Sequence, residues 1–149
     1  MKNKDLKIEK ISIGSLTRPK HNAKIHTPEH IQQIKNSIRE FGMIQPIVIH
    51  GEDNVIRAGE GRYLACKELG YKEIYCVQAD HLTEEQARAF ALADNLTQQA
   101  TGFDLEILNL EIADLDFNFT DFGLNFDLNV DLDTDNIVVE EDRIVPSVL

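Results

Sequence analysis

The sequence predicts an α+β fold, a small mixed sheet with helices packed on it, followed by an acidic tail. Three observations carry this reading. Short runs such as "LKIEKISI" (6–13), "IQPIVIH" (44–50) and "EIYCVQA" (73–79) have strand character. Between them, apolar residues recur at spacings of three and four, as in "TPEHIQQIKNSIREFG" (27–42). Charge is also segregated. Residues 1–100 hold 14 Lys/Arg against 13 Asp/Glu, whereas residues 101–149 hold Arg143 alone against 13 Asp/Glu, so the net charge of −11 lies in the last third.

Taken in order, 6–13 alternates as a half-buried strand, and "GSLTRPKHNAKIHTP" (14–28) is a loop. Over 27–42, Thr27 is placed to cap a helix, Pro28 opens it, Gly42 ends it, and Ile31, Ile34, Ile38 and Phe41 form its buried stripe. The run 44–50 and "VIRA" (55–58), joined by the turn "GEDN", are expected to pair as a hairpin. "GRYLACKELG" (61–70) is a helix with Leu64, Ala65 and Leu69 inward, and 73–79 is a strand. "TEEQARAFALADNLTQ" (83–98) is a helix whose Thr83 and Gln86 are spaced as a capping box, and "DLEILNLEIADL" (104–115) is a last amphipathic helix. This assigns residues 1–115 to one domain and 116–149 to an acidic tail or linker, partly ordered.

Composition excludes several classes. No stretch approaches the ~20 apolar residues of a membrane span, and "MKNKDLKIEK" lacks the apolar segment of a signal peptide. Cys66 and Cys76, without metal-binding spacing, read as reduced thiols of a cytoplasmic protein. His21, His26 and His30 lie close together, but no cysteine or second cluster completes a zinc site. Asp131, Asp133 and Asp135 resemble an EF-hand loop, yet Asn136 stands where glycine is needed and no helices flank it.

Three motifs carry chemistry. In "AGEGRYLA" (58–65), Gly59 and Gly61 let backbone N–H groups point outward at a helix start, and Arg62 offers a fork of donors suited to phosphate. Glu60 repels a phosphate there unless Mg²⁺ bridges them or the carboxylate accepts a proton. In "ADNLTQQ" (93–99), Asp94 and Asn95 are adjacent hard-oxygen ligands, and Mg²⁺ needs only one or two such groups beside phosphate oxygens. In "RPKHNAKIH" (18–26), Arg18, Lys20, Asn22, Lys24 and His26 form a basic strip able to meet DNA, within a segment 1–24 that carries seven Lys/Arg against Asp5 and Glu9. Each motif alone is also compatible with an ordinary turn, helix end or solvated surface.

The strings "IKNSIREFGMIQPIVI", "IRAGEGRYLACKELG" and "LADNLTQQ", in this order, resemble the ParB N-terminal domain of the ParB/sulfiredoxin superfamily, from about Leu6 to Leu115. The resemblance implies that the 59–62 turn cradles a nucleoside triphosphate, CTP or ATP. Arg62 falls on the second arginine of the family's G-E-R-R box, and Gly61 replaces the first. Asp94 and Asn95 fall on a Glu-Asn pair that holds Mg²⁺ and supports slow hydrolysis, and Gln45 falls on a glutamine beside the base. This makes Gln45, Gly59, Gly61, Arg62 and Asn95 the nucleotide-binding candidates and Asp94 a catalytic one, with Glu60 joining it as catalytic in a nuclease reading where it, Asp94 and His26 converge. Sulfiredoxin chemistry is excluded, because Glu60 stands where its cysteine is required. "NAKIH", "LTEEQARAFALADN" and "GFD" are similar to ParB-like modules of phage and mobile-element proteins, many of which precede a DNA methyltransferase domain. That implies a methyltransferase or another DNA-acting protein as partner, while this chain carries no methyltransferase motif of its own.

The functional expectation is a nucleotide-binding module, with a weak NTPase activity left open, that acts with DNA modification, segregation or packaging machinery. The alternatives are a metal-dependent nuclease and a non-catalytic adaptor using its acidic tail. Oligomerisation is left open by the sequence, and no membrane partner is expected.

Overall fold

The computed structural model describes residues 5–22, 24–99 and 102–122. The expected elements are present in the expected order. They are β1 (Ile8–Ser12), α1 (Pro28–Phe41), β2 (Ile47–His50), β3 (Val55–Ala58), α2 (Glu60–Glu68), β4 (Glu73–Gln78), α3 (Glu84–Gln99) and α4 (Leu105–Asp114). Short 3-10 turns follow β1 at Ile13–Ser15 and close the described chain at Phe119–Phe122.

The strands form one mixed sheet in the order β1-β4-β2-β3. β1 runs antiparallel to β4, β4 parallel to β2, and β2 antiparallel to β3 with a bulge between Val48 and Ile49. The anticipated hairpin is therefore real, and Gly51 and Asn54 supply the positive φ angles its turn needs. A backbone ladder continues past β3, where Thr17 pairs with Val55 and draws the N-terminal loop against the sheet edge.

Helices α1 and α2 cover one face of the sheet. Alternate strand residues Ile47, Ile49, Ile56, Ile74 and Cys76, none more than 1% exposed, meet Ile31 and Ile38 of α1 and Tyr63, Ala65 and Cys66 of α2. A largely aliphatic core thus sits in one layer between sheet and helices.

Helix ends follow local chemistry. The Thr27 hydroxyl accepts from the His30 N–H at 3.1 Å, and Gly42 ends α1 at φ 88°. Thr83 and Gln86 make the reciprocal pair expected of a capping box, at 2.9 and 3.1 Å.

Three expectations are corrected. Phe41 leaves the α1 stripe and is 51% exposed, because the chain turns out of the helix at Gly42. β2 begins at Ile47, and Ile44 is 73% exposed, since Pro46 has no N–H with which to enter the ladder. In α2 the inward face centres on Tyr63, Ala65 and Cys66, with Leu64 and Leu69 only partly buried.

The chain divides into two compact units, Met1–Asp94 and Asn95–Leu149, whereas the sequence places the domain boundary at 115/116. In the second unit α4 is capped by Asp104, which accepts from the Glu106 and Ile107 N–H groups, and buries none of its residues. The EF-hand-like stretch around Asp131, Asp133 and Asp135, and the acidic tail beyond residue 122, lie outside the described residues. No helix among the described residues is long and apolar enough to cross a membrane.

Candidate functional site

The Gly-Glu-Gly-Arg segment is the start of α2. Gly59 is its N-cap residue at φ 97° and ψ 24°, a left-handed conformation that glycine adopts without steric cost. The first intrahelical bond runs from the Tyr63 N–H to the Gly59 carbonyl at 3.0 Å. The three N–H groups before it are those that any helix start leaves over, and Gly59 has no side chain to cap them. They carry the partial positive charge of the helix dipole.

Arg62 is fixed beside this start. Its Nη1 donates to Gln45 Oε1 at 3.3 Å and its Nη2 to the Pro46 carbonyl at 3.1 Å. Nε is buried without a hydrogen-bond partner among the described residues. Burial lowers the guanidinium's proton affinity, and the negative charge of Asp94 on α3 acts in the opposite direction. Fold and charge thus bring Gln45, Gly59, Arg62 and Asp94 together. A side chain at Gly59 is strained by φ and would displace the guanidinium, because a Cβ there falls 2.8 Å from Arg62 Nη2 and 3.1 Å from Ile47 Cγ1.

Glu60 behaves differently from the metal-facing carboxylate its position suggested. It is 6% exposed and accepts hydrogen bonds from Arg18 Nε and Asn22 Nδ2, pinning the 18–22 loop to the first turn of α2. The Arg18–Glu60 pair is an ion pair at the first turn of α2. Arg18 and Asn22, read as DNA-facing, are therefore turned onto Glu60. Lys20 is exposed, and the Lys24 N–H donates to Asn22 Oδ1 at 2.9 Å.

His26 lies over Gly61. A Cβ on Gly61 would meet His26 Cε1 at 3.1 Å and Ile34 Cδ1 at 3.0 Å, so the position where the family resemblance expects an arginine is filled by a histidine ring. His26 stacks on His30 at 5.7 Å, and neither of its ring nitrogens has a partner among the described residues. Burial lowers its pKa, with nearby Glu60 opposing and His30, Lys24 and Arg18 reinforcing the shift. Asn95 begins the second unit and follows Asp94 in α3.

Sequence reasoning missed the Pro46 carbonyl as an Arg62 acceptor, because main-chain acceptors carry no residue signature. It also missed a cluster at the start of α3. There Arg57 Nη2 donates to Glu84 Oε2 at 2.8 Å, and the His50 ring bonds the Leu82 carbonyl at 2.7 Å. These four residues are distant in sequence and meet only where the start of α3 packs beside β2 and β3.

The sequence of residues 2–96 matches the model of the ParB N-terminal domain. The chain is 41% identical over 73 residues to the probable chromosome-partitioning protein ParB of Campylobacter jejuni, covering 48% of this chain and 26% of that protein. It is 33% identical over 81 residues to the ParB-like nuclease domain-containing protein YnaK of Escherichia coli K12, covering 54% of this chain and 92% of YnaK. Among solved structures, C-terminally truncated ParB from Caulobacter crescentus, complexed with CTP-γ-S, shares the fold with a TM-score of 0.59 at 24% identity, over 71% of this chain and 62% of that one. This chain therefore spans about a quarter of the Campylobacter partitioning protein but nearly all of YnaK. The family match covers more than half of its residues and includes the whole sheet and the Arg62 turn, and the chain belongs to the ParB N-terminal domain family.

Proposed function

We propose that this chain is a nucleotide-binding module that takes CTP, with ATP the alternative, together with Mg²⁺. The observation that carries the reading is Arg62, whose guanidinium is held by Gln45 and Pro46 beside an uncapped helix start while its Nε has no partner among the described residues. An anion fits these donors better than any neutral group. The structural likeness to a ParB complexed with CTP-γ-S favours a nucleoside triphosphate as that anion. Asp94, whose charge already acts on Arg62, supplies a hard oxygen of the kind Mg²⁺ takes alongside phosphate. Mg²⁺ would neutralise the phosphates against Asp94 when bound.

The nuclease alternative has less support, since both Glu60 oxygens are engaged by Arg18 and Asn22. The module acts beside machinery that segregates, modifies or packages DNA, with a DNA methyltransferase one such partner.

Calorimetric titration of CTP, ATP and GTP with Mg²⁺ tests the proposal. One nucleotide is expected to bind, and Arg62→Ala to weaken it at least tenfold, the scale of losing charge-assisted hydrogen bonds of ~1.5–3 kcal/mol. Failure of all three to bind the unaltered chain would overturn it.

A further inference from the structure

The outer face of the β1–β4 pair carries groups that the Arg62 site does not use. Pairing sets Lys10 opposite Tyr75, Ser12 opposite Glu73 and Ile8 opposite Val77, and directly paired residues share a face. Ile74 and Cys76, which alternate with these on β4, lie in the core. The Tyr75 row therefore points away from α1 and α2. Tyr75 is 41% exposed, and Tyr71 and Lys72, just before β4, are exposed beside it. Lys10, Ser12, Tyr71, Lys72, Glu73 and Tyr75 line an open cleft of about 700 Å³.

This surface is held in place by backbone bonds. The Tyr71 N–H donates to the Cys66 carbonyl at 3.0 Å, and the Ile13 N–H donates to the Lys72 carbonyl at 3.0 Å. Lys10 Nζ sits 5.7 Å from the centre of the Tyr75 ring. Two phenol rings and two ammonium groups thus share one rigid, open surface.

Lysines alone would attract any polyanion, and exposed rings alone any apolar group. The two together match a ligand with flat aromatic groups strung along an anionic backbone. A DNA duplex hides its base faces, and an acidic peptide offers little to stack. We propose that the outer face of β1 and β4 binds single-stranded nucleic acid, with bases stacking on Tyr71 and Tyr75 and phosphates meeting Lys10 and Lys72. Glu73, opposite Ser12, is the one carboxylate lining the cleft and works against the backbone charge there. The surface lies across the sheet from α2, so it is independent of the nucleotide proposal.

The test is fluorescence anisotropy of a labelled 12-nucleotide dT strand and a 12-base-pair duplex, titrated with the whole chain at low salt. The single strand is expected to bind more tightly than the duplex. Tyr71→Ala with Tyr75→Ala should weaken it at least tenfold, the corresponding Phe pair should retain it, and Lys10→Ala should lower the salt slope by about one. Arg62→Ala should leave it unchanged. Circular dichroism of each variant establishes that the fold is intact. Absence of binding, equal binding of the duplex, or affinity that survives the double alanine variant would each overturn the proposal, as would loss of binding in Arg62→Ala.

Discussion

At the residue scale, the site depends on two glycines for two separate reasons. Gly59 is needed for its backbone angle and for the space that Arg62 occupies. Gly61 has an ordinary helical backbone, and its lack of a side chain makes room for His26 and Ile34. Gly59→Ala therefore forces a left-handed alanine worth about 1–2 kcal/mol and pushes Arg62 aside. Its melting temperature should fall by roughly 4 °C or more, measured by thermal unfolding, with nucleotide affinity falling further than stability explains. An unchanged melting temperature would show that the turn relaxes freely. The sequence displayed Gly59 and Arg62 plainly, because a positive φ and a phosphate-matching fork restrict residue type. It did not display that Glu60 would bind Arg18 and Asn22, since that choice depends on a loop folding back over more than thirty-five residues.

At the element scale, helix ends were the most legible features. Thr27, Pro28, Gly42, Thr83 and Gln86 act within one turn of chain, and each does what its local chemistry dictates. Strand starts were less so, because the start of β2 at Ile47 depends on a ladder partner as well as on apolar character. The α3 start has a second anchor besides its cap. Glu84 holds Arg57, whose side chain is only 10% exposed, and lies 3.9 Å from His50 Nδ1. Glu84→Ala should cost about 1 kcal/mol, kept small by the exposure of Glu84 itself, and should speed amide exchange in the first turn of α3. Unaltered exchange there would show that the Thr83–Gln86 cap suffices alone.

At the scale of the whole molecule, charge opposes the binding of anions. Residues 123–149 hold seven Asp/Glu and one Arg, a net −6 of the chain's −11, so their removal leaves −5. Long-range repulsion raises the cost of approach for nucleotide and nucleic acid alike, and salt screens it within a Debye length of about 10 Å at 0.1 M. A chain ending at residue 122 should therefore bind the same nucleotide several-fold more tightly at 20 mM salt and equally at 0.5 M. A difference that persists at high salt would point to direct contact by the segment rather than to its field.

The sequence by itself determined the class of fold, the order of elements, the caps of α1 and α3 and the Arg62 turn, because periodicity, φ restrictions and capping act over a few neighbouring residues. Only the tertiary structure decided the strand order β1-β4-β2-β3, with its parallel β2–β4 pair at the centre. It alone turned Arg18 and Asn22 onto Glu60, seated His26 over Gly61, and left Tyr75 on the open face of the sheet. Those outcomes rest on contacts between residues far apart in the chain, where identity and spacing do not say which partners meet.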